Sequence, residues 1–170
     1  MPGAAAEGAG LATRTDTLLD GRVTIRQPAS GYRVAVDPVM LAAACPAEAG
    51  ARVLDLGCGV GAAALCLLAR VPDVRAVGLE RQPDLADLAA DNAELNGWHA
   101  RFRPVAGDVR RPPFAANGPF DHVLCNPPYH RPDRGHAPAD PVAHTANVET
   151  AGKLADFVGA ACRLVRRKGT

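Results

Sequence analysis

The sequence predicts an α/β fold built on a parallel sheet, and three observations carry that reading. An aliphatic run at 51–56 passes through a glycine turn into an Ala/Leu-rich helix. The same order of strand, turn and helix repeats at once over 74–95, and two further aliphatic runs follow at 101–105 and 120–125. Consecutive βα units imply parallel strands joined by right-handed crossovers. With 170 residues, 48% hydrophobic and 22% charged, the chain suits one globular domain. Only 4% is aromatic against 34 Ala, so its core must be made of aliphatic side chains and closely packed helices.

Residues 1–15 are Ala/Gly-rich and expected to fray, with the domain running from 16 to 170. Thr17–Leu19 and Arg22–Arg26 flank Asp20-Gly21, a pair that tolerates the positive φ of a tight hairpin. Asp37-Pro38 is a cap followed by proline at the first helical position, opening a short apolar helix that ends before Pro46. After the strand at 51–56 the first crossover helix runs through Arg70. The second strand is Val74–Glu80, and Pro83 opens a helix with Leu85, Leu88, Ala89 and Leu95 at helical spacing, closed by Asn96-Gly97. Arg101–Val105 and Phe120–Cys125 are the third and fourth strands. Residues 130–146 read as a long loop, and a final amphipathic helix over 148–167 carries Leu154, Phe157, Val158, Ala161 and Leu164 on one face.

Several function classes are disfavoured. No run approaches the ~18 apolar residues of a membrane span, and the first ten residues lack the pattern of a signal peptide, so a cytoplasmic protein is expected. Five scattered Cys without a CxxC pair, and five His without zinc spacing, disfavour disulfides and a structural metal. The net charge of +1 hides a gradient: residues 1–99 carry 8 basic and 12 acidic groups, residues 100–170 carry 11 and 6. The basic half suits a polyanion, although an arginine-rich solvated surface gives the same count.

Two motifs carry chemistry. In Asp55-Leu56-Gly57-Cys58-Gly59-Val60-Gly61 a strand turns sharply into a helix, and glycines there let a ligand approach backbone N–H groups. Gly57, Gly59 and Ala62 also satisfy a dinucleotide fingerprint, with Glu80 placed where a ribose-binding acid belongs. Asp55 separates the two readings, because a carboxylate inside a buried strand calls for a cation, whereas the pyrophosphate of NAD would be repelled. The second motif, Asn126-Pro127-Pro128-Tyr129, ends the fourth strand. Its prolines stiffen the chain and remove donors, leaving acceptors that suit an NH2 group. The Asn126 amide oxygen and the Pro127 carbonyl can each take one N–H of an exocyclic amine, while Tyr129 stacks on a flat base or amide.

With Glu80 and Asp108, these motifs resemble the class I S-adenosylmethionine-dependent methyltransferases of the NPPY, exocyclic-amino type. Gly31-Tyr32-Arg33, Asp37–Ala42 and Asp91-Asn92-Ala93-Glu94-Leu95-Asn96-Gly97 are similar to the small-domain group that contains tRNA adenine-N6 methyltransferases. The resemblance spans residues 16–168 and implies a Rossmann-like sheet of order 3-2-1-4, with S-adenosylmethionine as cofactor. It implies that Asp55, Gly57 and Gly59, with Cys58 between them, hold the methionine end. Glu80 then takes the ribose hydroxyls, Asp108 the adenine amino group, and Asn126 with Pro127, Pro128 and Tyr129 the target nitrogen at the edge of the cofactor. Asp37 keeps two readings, pocket wall and N-cap.

The family sheet continues as 5-7-6, whereas this chain stops where strand five would start. A truncated sheet with strands 5 to 7 absent is therefore expected, its fourth strand an apolar edge open to a second copy. The implied substrate is adenine N6 in RNA, foremost tRNA, with Arg101, Arg103, Arg110, Arg111, Arg131 and Arg134 flanking the pocket to hold phosphates. A protein glutamine amide fits the same acceptors, and a non-catalytic cofactor- or RNA-binding fragment is the alternative from another class.

Overall fold

The computed structural model describes residues 11–31, 33–113, 118–127 and 154–170. A hairpin opens the fold: β1 (Thr13–Leu18) pairs antiparallel with β2 (Val23–Pro28), Leu18 opposite Val23. Leu19, Asp20 and Gly21 in its loop all have positive φ (51°, 55° and 81°), the conformation expected of Asp-Gly. The hairpin is longer than the sequence reading, and its first strand begins at Thr13, inside the stretch expected to fray. A buried amide accounts for part of the extra length. Gln27 donates to Asp16 at 2.6 Å and accepts from the N–H of Val34 at 2.8 Å, binding both strands to the segment before the first helix.

The main sheet has the order β5-β4-β3-β6 with every pairing parallel. Its strands are β3 (Arg52–Leu56), β4 (Arg75–Glu80), β5 (Phe102–Ala106) and β6 (His122–Cys125). In chain order this is the expected 3-2-1-4. The helices are α1 (Asp37–Ala44), α2 (Ala62–Arg70), α3 (Pro83–Leu95) and α4 (Leu154–Leu164).

Both faces of β3 are covered, which explains its unbroken apolar reading. Val53 joins a cluster with Ala64, Leu65 and Leu67 of α2, while Leu54 and Leu56 pack with Leu79, Phe120 and, from α4, Phe157, Ala160 and Leu164. Each such leucine contributes ~1.5–3 kcal/mol by leaving water. Two helix faces differ from expectation. α4 buries Phe157, Ala160 and Leu164 but leaves Leu154 and Val158 60% and 53% exposed, and α3 turns Leu95 outward while burying Asn92.

α1 and α2 run alongside one another in the same direction, since Arg70 at the end of α2 donates to the carbonyls of Ala42 and Cys45 at the end of α1. Both helices therefore start at the carboxyl end of the sheet. Val36, not Asp37, is the N-cap of α1, and no side chain caps it. Asp37 stands one position later, in the first turn, where its charge faces the positive end of the helix.

The outer side of β6 is not the bare edge expected. After α4 the chain turns back, with Lys168 at φ 66°, and pairs with it. Phe120 N–H donates to the carbonyl of Leu164 and Val123 N–H to that of Thr170, at 2.8 and 2.7 Å, and Phe120 bridges Val165 in parallel. An Arg166–Asp121 ion pair at 2.8 Å fastens the turn. The cause is local: six residues after α4 suffice to reach the adjacent strand, so this edge is occupied from Phe120 to Val123.

Candidate active site at the carboxyl end of the sheet

Parallel strands put all their carboxyl ends on one side, and there the motif residues converge. Gly57, Gly59 and Gly61 all have positive φ (74°, 54° and 86°), so the turn between β3 and α2 is left-handed at alternate residues. Its first half is tied to β4: the N–H groups of Gly57 and Cys58 donate to the Leu79 carbonyl at 2.8 and 3.0 Å. A Cβ on Gly57 would lie 3.2 Å from the ring of Phe157, and one on Gly61 2.6 Å from that of Phe102, whereas one on Gly59 would meet nothing within 4 Å. Gly59 is thus the turn's open point.

Asp55 is 2% exposed, on the face of β3 that looks toward the start of α2. Its Oδ2 accepts from the N–H of Ala64 at 3.3 Å. Burial raises its pKa to about 7; the Ala64 bond pulls it down and the charge of Glu80 pushes it further up. Among the described residues no cation forms an ion pair with Asp55. Glu80, 8% exposed at the end of β4, accepts from Gly59 N–H through Oε2 and from Gln82 N–H through Oε1, both at 2.9 Å. Burial raises its pKa as well, against those backbone bonds. It is therefore a strut of the glycine turn as well as a candidate ribose ligand.

The side chain of Cys58 packs over β4 and belongs to the core: an added Cβ on Gly78 would lie 2.6 Å from its Sγ. Burial pushes the thiol pKa well up.

Asp108 follows β5 at the same end of the sheet. Arg110 grips it with Nε on Oδ1 at 2.9 Å and Nη2 on Oδ2 at 2.5 Å, and this pairing lowers the Asp108 pKa to about 2. Asp37, exposed at the start of α1, is on that same side of the sheet.

Asn126 and Pro127 leave β6 directly beside the turn. Parallel register sets Asp55 opposite Leu124 and Leu56 opposite Cys125, so the next residues in line are Gly57 and Asn126, on strands about 4.8 Å apart. Cys125 feels this closeness: burial and then the charge of Asp55 raise its pKa to about 12. Both Asn126 and Pro127 are half-buried. Pro128 and Tyr129 lie outside the described residues.

The basic patch is only partly assembled. Arg110 and Arg111 follow the carboxyl end of β5, but Arg101 and Arg103 sit at its amino end, where Arg101 stacks 5.6 Å from the ring of Trp98. A strand carries its first residues away from the site, which rules those two out as flanking groups. Arg131 and Arg134 lie outside the described residues. An open groove of about 420 Å³ near Glu48, His122 and Arg166 is also at the amino ends of the strands, remote from the motifs.

Sequence reasoning missed the arginine on Asp108, the strut role of Glu80, and the buried Asn92, which donates to the carbonyls of Val60 and Arg26. The last had a signal: two asparagines four residues apart, in line with the apolar stripe of Leu85, Leu88 and Ala89.

The methyltransferase small domain model matches residues 33–155, and the chain belongs to that family. Relatives named tRNA1(Val) (adenine(37)-N6)-methyltransferase, from Yersinia pestis (strain Pestoides F) and Yersinia pseudotuberculosis serotype O:1b (strain IP 31758), are 39% identical over 103 residues, 59% of this chain. The match covers 41% of the length of those relatives. Among solved structures, a SAM-dependent methyltransferase from Thiobacillus denitrificans in complex with S-adenosyl-L-homocysteine aligns with TM-score 0.54 and 25% identity, over 78% of this chain and 44% of that one. TrmN from Thermus thermophilus shares the fold, with TM-score 0.58, 23% identity and coverage of 78% and 35%.

Proposed function

We propose that this chain is the cofactor-binding and catalytic part of an enzyme that moves a methyl group from S-adenosylmethionine to an exocyclic amino nitrogen, adenine N6 of a tRNA being the favoured acceptor. The observation that carries this is the parallel register of Leu56 beside Cys125, from which the glycine turn and the Asn-Pro corner start on neighbouring strand ends.

The residues present fit the cofactor. A buried carboxylate with a pKa of about 7 and no ion-pair partner among the described residues is a site that gains by meeting an ammonium. Glu80 keeps lone pairs beyond those given to Gly59 and Gln82, and Gly59 leaves open space above the turn. Arg110 already occupies Asp108, so an adenine amino group must share that carboxylate with a guanidinium. When bound, S-adenosylmethionine supplies a methyl group on a cationic sulfur. The chain's own part is positional: the Asn126 amide oxygen and the Pro127 carbonyl accept the two N–H groups of the target and fix the direction of its lone pair.

The tRNA acceptor is favoured by the relatives' names and by the arginines after β5, and the protein is read as acting in the cytoplasm. The test is transfer of labelled methyl to total tRNA followed by nuclease digestion. Label in N6-methyladenosine, with affinity for the RNA that falls steeply with salt, is the expected result. Label on protein glutamine with no salt dependence would replace the substrate, and cofactor binding with no label on either would leave a binding fragment.

A further inference from the structure

Asn92 is fully buried on α3, and its amide is spent on backbone from two other elements. Its Oδ1 accepts the N–H of Arg26 at 2.7 Å, and its Nδ2 donates to the Arg26 carbonyl at 2.8 Å and to the Val60 carbonyl at 3.0 Å. One turn later Asn96 does the same to Thr24, accepting at 2.9 Å and donating at 2.7 Å. Four helical residues rise about 6 Å and two strand residues about 6.7 Å, so asparagines at i and i+4 match alternate residues of a strand. Thr24 and Arg26 turn their polar groups away from β1, and the pair of amides caps that free edge of the hairpin.

Docking the hairpin does not account for everything Asn92 does. The second donor of Asn96 returns to its own helix, at the Asn92 carbonyl, 2.7 Å away. The second donor of Asn92 instead reaches Val60, between the left-handed Gly59 and Gly61. Backbone and Glu80 bonds fix Gly57, Cys58 and Gly59 to β4; among the described residues, the amide of Asn92 makes the side-chain hydrogen bond to the second half of the turn. An apolar residue in the same place would take these bonds from the Arg26 N–H and carbonyl and from the Val60 carbonyl.

We propose that Asn92 is a positioning residue for the cofactor site, holding the Val60 carbonyl so that the glycine turn keeps its open shape and is coupled to the seating of the N-terminal hairpin. This rests on the reading of the turn as the cofactor cradle.

The experiment compares Asn92→Ala with Asn96→Ala in the full chain, since both loosen the hairpin and only one touches the turn. Binding of S-adenosylhomocysteine is measured by calorimetry, and exchange of the Gly59, Gly61 and Ala62 amides by NMR. Asn92→Ala should weaken binding about three- to tenfold and speed exchange in the turn, while Asn96→Ala, acting only through the hairpin, has a clearly smaller effect on both. Equal affinities in the two variants with unchanged turn exchange would overturn the role. If Asn92→Ala does not fold, Asn92→Ser takes its place. In the wild type the Asn92 side-chain NH2 should exchange more slowly when the probe is bound; no slowing contradicts the coupling. A wild-type chain that does not bind the probe overturns the reading of the cradle, and turn exchange in the two variants then decides the role of Asn92 alone.

Discussion

The carboxylate of Asp55 accepts a hydrogen bond from the N–H of Ala64 at 3.3 Å and lies otherwise in the protein interior, so that burial carries its pKa to about 7. The direction of the shift fixes how stability and binding respond to pH. In the folded chain Asp55 holds its proton up to about pH 7, whereas unfolded it loses it near 3.8. Its contribution to stability is therefore whole below pH ~3.8 and is lost as pH rises through about 7, on the order of 4 kcal/mol in all. A cationic ligand needs the ionised form, so S-adenosylhomocysteine affinity should climb up to tenfold per pH unit between about 5 and 7 and level off above. Asp55→Asn should flatten this profile, weaken binding by ~1–3 kcal/mol and raise the melting temperature of the free protein at pH 8. Calorimetry and thermal melts across pH 5–8.5 check all three.

Gly78 gives a purely steric prediction, because no positive φ is involved. A Cβ there would lie 2.6 Å from Cys58 Sγ and 3.0 Å from the Phe102 ring. Gly78→Ala should cost ~1–3 kcal/mol, and adding Cys58→Ala should restore part of it. Denaturant unfolding of the two single variants and the double variant measures the recovery. Independent, additive losses would contradict the contact.

Removal of residues 165–170 should uncover the outer edge of β6 by deleting the bonds from Val123 to Thr170 and from Arg166 to Phe120. The shortened chain is expected to self-associate with rising concentration, the fate of an open strand edge. Analytical ultracentrifugation reads this, and an unchanged sedimentation profile would show the tail to be dispensable.

Much of the fold was legible because βα units write two signals at once: aliphatic strands buried on both faces, and glycine or proline at the helix starts. Thus β3, the glycine turn, α2, β4 and α3 fall within a residue or so of expectation. The differences arise where a tertiary contact overrides local pattern. Leu154 and Val158 share a helical stripe with Phe157 in sequence, yet the sheet touches only the Phe157 side. Arg103 and Arg110 are close in sequence, and strand direction alone sends them to opposite ends of β5. At the site, Asp55, Glu80 and Asn126 could be chosen from their positions at strand ends. The turning of Cys58 into the core could not, because it depends on the space left by Gly78 across two strands.

The direct test of an Asn-Pro corner that accepts the target's N–H groups beside a methyl donor is Asn126→Ala, assayed side by side for cofactor affinity and for labelled methyl transfer to tRNA. The expected result is S-adenosylhomocysteine affinity within a few-fold of wild type and transfer lost. Transfer that survives, or affinity and transfer lost together, would contradict it.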